Sequence, residues 1–152
     1  MKIIFFGSPS FSAYILEQLH INFNVVVVVC PPDSEKGRGR RINAPAVKQK
    51  AEELKIEVLQ PKNLKSKSFV TELKNLNADL FIVVAFRMLP EIIWKIPKFG
   101  CVNLHTSLLP NYRGAAPINW VLINSEKQTG ITTFFINDKI DEGNILLQEK
   151  IA

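Results

Sequence analysis

The chain has 152 residues, 47% of them hydrophobic and 22% charged, with a formal net charge of +5. That length supports one hydrophobic core and is short for two ordinary domains, so a single domain over residues 1–152 is expected. The longest apolar stretch, around residues 25–30, falls far below the ~20 residues of a membrane span, and Lys2 leads into a strand pattern with no secretory-leader layout, so a cytoplasmic protein without membrane contact is expected.

Residues 2–6 read as a first strand, followed by the loop Gly7-Ser-Pro-Ser-Phe11 and a helix over about residues 11–19. That loop has one glycine where a dinucleotide-binding turn needs three, which argues against a nicotinamide cofactor. Capping preferences instead make Ser8 or Ser10 the N-cap of the helix. Residues 24–30 form a second strand. The charge then concentrates, because Lys36, Arg38, Arg40 and Arg41 supply four basic groups within six positions, and the rest of the chain is close to balance. A Gly-spaced basic loop between a strand and a helix suits a phosphate backbone, engaged by electrostatics and without base reading. Farther on, the patterns give a helix at 44–54, a strand at 56–59, a helix at 66–75, a strand at 80–84, a short helix at 90–96 and a strand at 100–105. A helix at 118–124 and two late apolar runs, 131–136 and 145–147, complete the chain. Cys30 and Cys101, at a strand end and a strand start, read as buried thiols. With only two histidines beside them at no recognised spacing, neither a disulfide nor a metal is expected.

Alternation of this kind predicts an α/β fold, a Rossmann-like, doubly wound and mostly parallel sheet with helices on both faces. Right-handed crossovers bring the loops after Phe6, Val84 and His105 to one rim, where such sheets bind their ligands. The two late runs pair as an antiparallel hairpin at one edge, with Asp141 in the Gly-containing loop between them.

The end of the 100–105 strand carries the chemistry. Asn103 and His105 stand at i and i+2, on the same side of the strand, and the predicted winding brings Asp141 within reach of His105. Taken singly, each has an ordinary structural explanation as a turn cap, a structural histidine and a turn former. Taken with the surrounding string, Asn103-Leu-His-Thr-Ser-Leu-Leu-Pro-Asn-Tyr-Arg-Gly-Ala-Ala-Pro117-Ile, they do not. That string resembles the formyltransferases that use 10-formyltetrahydrofolate, and within them the branch that formylates methionyl-tRNA. Further matching segments are Ile4-Phe-Phe-Gly-Ser-Pro-Ser-Phe11, Pro31-Pro-Asp-Ser-Glu-Lys-Gly-Arg-Gly-Arg-Arg41, Val83-Val-Ala-Phe-Arg-Met-Leu-Pro90, Thr129-Gly-Ile-Thr-Thr and Asp141-Glu-Gly143.

The resemblance implies transfer of a formyl group from the co-substrate 10-formyltetrahydrofolate to the α-amino group of initiator methionyl-tRNA, with Asn103, His105 and Asp141 as the catalytic set and no metal. Asn103 would donate to the oxygen that gains charge, His105 would donate or carry the proton, and Asp141 would orient the imidazole. Ser107, Leu108, Leu109 and Pro110 match the folate-binding segment. Phe86, Arg87 and Met88 would form the opposite wall, where Arg87 replaces a glycine often found in relatives. The first loop would lie near the aminoacyl group. Lys36, Arg38, Arg40 and Arg41 match the basic loop that the methionyl-tRNA branch applies to the tRNA acceptor arm, which separates this branch from enzymes acting on nucleotide sugars or glycinamide ribonucleotide; the alternative is the same constellation with another acceptor, a sugar amine, glycinamide ribonucleotide or water. Tyr112 and Arg113 are open between loop support and substrate contact. The family's chain continues through further helices into a C-terminal β-barrel and is monomeric, whereas this sequence stops at Ala152 after a strand. An incomplete catalytic domain is therefore expected, with exposed apolar sheet surface, a tendency to associate, and binding of folate or RNA without turnover as the alternative outcome.

Overall fold

The structure, a computed structural model, describes residues 1–36 and 41–151, and of Lys36 and Arg41 only the backbone. Its centre is a seven-stranded sheet in the order β5-β2-β1-β6-β7-β8-β9. The strands are β1 (Lys2–Gly7), β2 (Asn24–Val29), β5 (Glu57–Leu59), β6 (Leu80–Val84), β7 (Cys101–His105), β8 (Thr129–Phe135) and β9 (Ile145–Ile151). The first five run parallel, whereas β8 is antiparallel to both β7 and β9. The Rossmann-like, doubly wound, mostly parallel architecture is thus present, with the antiparallel hairpin at the expected edge.

Burial on both faces explains the continuous apolar runs, since a parallel strand has no solvent side on which polar residues belong. Ile3, Ile4, Phe5 and Phe6 of β1 and Val27, Val28 and Val29 of β2 are all fully buried. One face is covered by α1 (Ser10–Asn22) and α2 (Ala46–Glu53), which place Ala13, Leu16, Val47 and Ala51 against Ile3, Phe5 and Val28. The other face is covered by α3 (Lys67–Asn75) and α4 (Glu91–Trp94), where Phe69, Val70, Leu73 and Ile93 meet Ile4, Phe6, Phe81 and Cys101. In α3 the buried positions fall at i, i+1 and i+4, the stripe of an amphipathic helix.

Several expectations are corrected. Residues on either side of the basic segment form a two-stranded hairpin, β3 (Ser34–Lys36) and β4 (Arg41–Asn43), where an irregular loop was expected. The side chains of Lys36, Arg38, Arg40 and Arg41 lie outside the described residues. Neither Ser8 nor Ser10 caps α1. Pro9 holds the N-cap with φ −75°, its carbonyl accepts the Ala13 N–H at 3.1 Å, and no side chain caps. Finally, β9 runs to Ile151 and is exposed along its length, because the ladder to β8 is a backbone interaction indifferent to side-chain polarity. Beside it, α5 (Pro117–Ile123) buries only Val121, leaving Ile118, Trp120, Leu122 and Ile123 exposed. Among the described residues, no helix is long and apolar enough to cross a membrane.

Candidate functional site

The chain winds from β1 outward to β2 and β5, then crosses to β6 on the other side of β1. The loops after β1, β6 and β7 therefore meet on the rim where the strand order reverses, the place an open α/β sheet leaves for ligands. Between the β1 and β2 ends and the β3–β4 hairpin opens a crevice of about 560 Å³, lined by Ser8, Pro9, Pro31, Asn43, Pro45 and Gln49 among others. A wider cleft of about 990 Å³ lies among Lys65, Lys74, Glu91, Ile92 and Lys95, away from the β7 end.

Asn103 and His105 lie on one face of β7, as their spacing requires. Cys101 on that face packs into the α3–α4 core, whereas Leu104 packs toward α1 and α2. Asn103 is half-buried, and among the described residues no side-chain hydrogen bond engages its amide. His105 is buried. Its Nε2 lies 2.7 Å from the Tyr112 carbonyl, and since a carbonyl only accepts, Nε2 carries the proton in this contact. Its Nδ1 faces the Asp141 carboxylate at 3.7 Å, too long for a hydrogen bond. The Asp141 carboxylate accepts the Gly114 N–H at 2.7 Å, while Arg113 donates to the Asp141 carbonyl at 3.2 Å and pairs with Glu142 at 3.2 Å. The structure thus brings Asp141 to His105 across two loops. In this structure the Tyr112 carbonyl occupies the donor nitrogen of the imidazole.

The same contacts tie Tyr112 and Arg113 into the loop. The Tyr112 hydroxyl donates to Glu126 at 2.6 Å and accepts from Asn124 at 3.0 Å, and the carboxylate contact raises its pKa above the usual phenol value.

Ser107, Leu108 and Leu109 are used internally to a degree their sequence did not foretell. The Ser107 hydroxyl donates to the Asn111 carbonyl at 2.6 Å, the Leu108 carbonyl accepts the Asn111 N–H at 3.0 Å, and Leu109 is buried. Only Leu108 of the two leucines retains partial exposure, resting on Gly130, where a Cβ would come within 2.9 Å of the leucine Cγ. Pro110, joined to Leu109 by a cis peptide bond, is exposed. Across the rim, Phe86 packs edge-on to Phe6 with ring centroids 5.6 Å apart. Met88 projects to solvent. Arg87 reaches over to the carbonyls of Pro61 and Lys62 at 2.5 and 3.1 Å, and so ties the loop after β6 to the loop after β5.

Backbone strain singles out the same region. Of the non-glycine residues with positive φ, Lys55, Asn77 and Ser125 follow helices and adopt the left-handed conformation usual there. Ala85, Tyr112, Ala116 and Asp141 have no such explanation and all stand on the rim loops. Sequence reasoning missed Thr132, fully buried on β8, which links two parts of the Ser107 loop. The available signal was a hydroxyl at an inward position of an alternating strand, between Gly130 and Phe134.

Elsewhere, Cys30 and Cys101 are free and buried, and burial pushes the Cys30 thiol up to about 11 and that of Cys101 higher. Among the described residues, no group of three or more His, Cys, Asp and Glu side chains is placed to hold a metal ion.

Comparison with known proteins agrees with this arrangement. The family model described as formyl transferase matches residues 1–152. The methionyl-tRNA formyltransferase of Flavobacterium johnsoniae is 54% identical over the whole chain and 49% of its own length, and that of Bacteroides thetaiotaomicron is 49% identical over 99% of the chain and 47% of its own. The chain therefore spans about half the length of these curated relatives. In fold it resembles the crystal structure of phosphoribosylglycinamide formyltransferase from Bacillus halodurans, with TM-score 0.77, 22% identity, and coverage of 100% of this chain and 80% of that one. It likewise resembles a formyltetrahydrofolate deformylase from Pseudomonas syringae, with TM-score 0.73, 19% identity, and coverage of 99% and 50%. With a family model matched from end to end and relatives at about half identity over the whole chain, this chain belongs to the formyl transferase family.

Proposed function

We propose that this chain carries the catalytic centre of an enzyme that moves a formyl group from 10-formyltetrahydrofolate to the α-amino group of initiator methionyl-tRNA, in the cytoplasm, for the start of translation. The observation that carries the reading is the half-buried Asn103 amide, which has no side-chain hydrogen bond among the described residues, on the strand face it shares with His105. It agrees with the names of the relatives at about half identity.

The residues present fit a folate co-substrate. Exposed Met88 and half-buried Phe86 and Leu108 offer apolar surface to a flat heteroaromatic ring. Arg87 sits beside them, and Ser107, Leu109 and Pro110 shape the facing loop. When bound, the folate supplies the formyl group. Asn103 donates a hydrogen bond to the formyl oxygen as the attacking amine pushes charge onto it, an interaction stronger in the transition state than before it. His105, exchanging the Tyr112 carbonyl at Nε2 for the reacting groups, passes the proton lost by the attacking amine to N10 of the folate as the formyl C–N10 bond breaks and tetrahydrofolate leaves, with Asp141 keeping the ring aligned from the Nδ1 side. The acceptor is a free amine near neutral pH, since α-amino groups titrate at about 7.7 to 8.0. The crevice beside Ser8 and Pro9 holds the aminoacyl end, and Lys36, Arg38, Arg40 and Arg41 engage the acceptor-arm phosphates.

The test incubates the protein with 10-formyltetrahydrofolate and methionyl-tRNA, with uncharged tRNA as a control. Formylmethionyl-tRNA should form, and Asn103→Ala should lower kcat by about 10² to 10³, the cost of one lost oxyanion donor. No transfer by the unsubstituted protein, or full activity in the variant, would refute the reading.

A further inference from the structure

Three residues stand abreast across the edge of the sheet. His105 on β7 pairs with Thr132 on β8, and Thr132 pairs with Gln148 on β9, so all three share one face. The Thr132 hydroxyl donates to the Ser107 carbonyl at 2.7 Å and accepts the Leu109 N–H at 3.2 Å. Gln148 comes in from the outermost strand, its amide donating to the Leu109 carbonyl and to the Thr132 hydroxyl, each at 2.9 Å. Both backbone groups of Leu109 and the carbonyl of Ser107 are thus held by two side chains from a different part of the sequence.

We propose that Gln148, acting through Thr132, is a positioning residue that sets the Ser107–Leu109 turn relative to His105. The inference rests on the formyl-transfer reading, in which that turn faces the folate. Thr132 is fixed in the ladder opposite His105, so its hydroxyl references the turn to the histidine's own strand. Thr132 alone leaves the Leu109 carbonyl unpaired and its own second lone pair unused, and Gln148 completes both. Gln148 touches neither His105 nor Asn103 in this arrangement, so it controls where the donor-binding turn lies and leaves the proton chemistry to others. The remaining exposure of Gln148 is that of an edge residue, and its polar head is spent inward while β9 presents Ile145, Leu146 and Leu147 to solvent.

The test compares the unsubstituted protein with Gln148→Leu, which keeps side-chain bulk and loses the donors, and with Thr132→Ser, which keeps the hydroxyl. Hydrogen exchange at the Leu109 amide should quicken about fivefold in Gln148→Leu, roughly the worth of one net hydrogen bond, while amides of β1 and β6 exchange as before. KM for 10-formyltetrahydrofolate should rise by a similar factor with kcat nearly unchanged, and Thr132→Ser should retain the original KM. Unchanged exchange at Leu109, acceleration spread evenly over β1 and β6, or an unchanged KM would each overturn the positioning role. Failure of the unsubstituted protein to bind tetrahydrofolate or to transfer formyl would instead overturn the reading of the site, and the exchange rates would still show whether Gln148 holds the turn.

Discussion

Gly143→Ala tests how tightly the loop bearing Asp141 is sutured to the sheet. A Cβ at residue 143 would overlap the Phe135 carbonyl oxygen and come within 2.7 Å of the carbonyl carbon, with the Phe134 ring at 3.3 Å. The first obstacle is backbone inside β8, which has no rotamer by which to yield. To reach ordinary contact the loop must lift by about 2 Å, and the Phe135 N–H bond to the Asn144 carbonyl, 3.0 Å long, lies in the path. Overpacking of this kind costs about 1 to 3 kcal/mol, and strain on the adjoining backbone bond places the expected loss at the upper end, about 3 kcal/mol. Asp141, two residues away, moves with the loop, so formyl transfer should fall by at least about 10², the effect of a single ångström of misplacement. Gly114→Ala is the control. Its φ is +86°, yet nothing lies within 4 Å of the added carbon, so only the left-handed strain of about 1 kcal/mol applies. Urea unfolding of both variants at one temperature gives the two values. Equal losses, or a Gly143→Ala protein within 1 kcal/mol of the original, would refute the argument from close approach.

Three further outcomes are expected. Both thiols are buried and raised, so neither Cys30 nor Cys101 should react with a disulfide reagent at about pH 8 until urea unfolds the protein; rapid native labelling of either would contradict the packing around β2 and β7. The Lys48 ammonium, 2.8 Å from Asp33, and the Gln60 amide hold the Asp33 carboxyl below its usual value. A depressed carboxyl contributes stability above its unfolded pKa of about 3.9 and loses it as pH falls through the folded value. An NMR titration should therefore show a low Asp33 midpoint that Lys48→Met moves upward, and an unmoved midpoint would remove Lys48 as the cause. Leu122 and Leu147 are 72% and 75% exposed among other apolar residues of α5 and β9. Sedimentation should detect concentration-dependent association that Leu122→Glu combined with Leu147→Glu reduces, and identical behaviour of the variant would clear this surface.

What the sequence determined by itself was the order of the main-sheet strands and their helices, and which residues are candidates for the chemistry. Parallel strands buried on both faces must be continuous apolar runs, so residues 2–6, 24–30 and 80–84 announced themselves, and the i, i+2 spacing alone put Asn103 and His105 on one face. The string around His105 supplied the family because its residue types are rare in that order. Tertiary structure decided how those residues are held. Tyr112 reaches His105 through a backbone carbonyl, a group common to every residue and therefore without any signature in sequence. Arg113 and Asp141 lie 28 residues apart, Gln148 and Leu109 lie 39 apart, and nothing local marks either pair. The β3–β4 hairpin was hidden for a related reason, since its pairing is a backbone interaction in a segment whose side chains read as charge. Composition and periodicity report which faces are dry. Which donor meets which acceptor on the rim depends on how distant loops converge, and that is settled only when the sheet has closed.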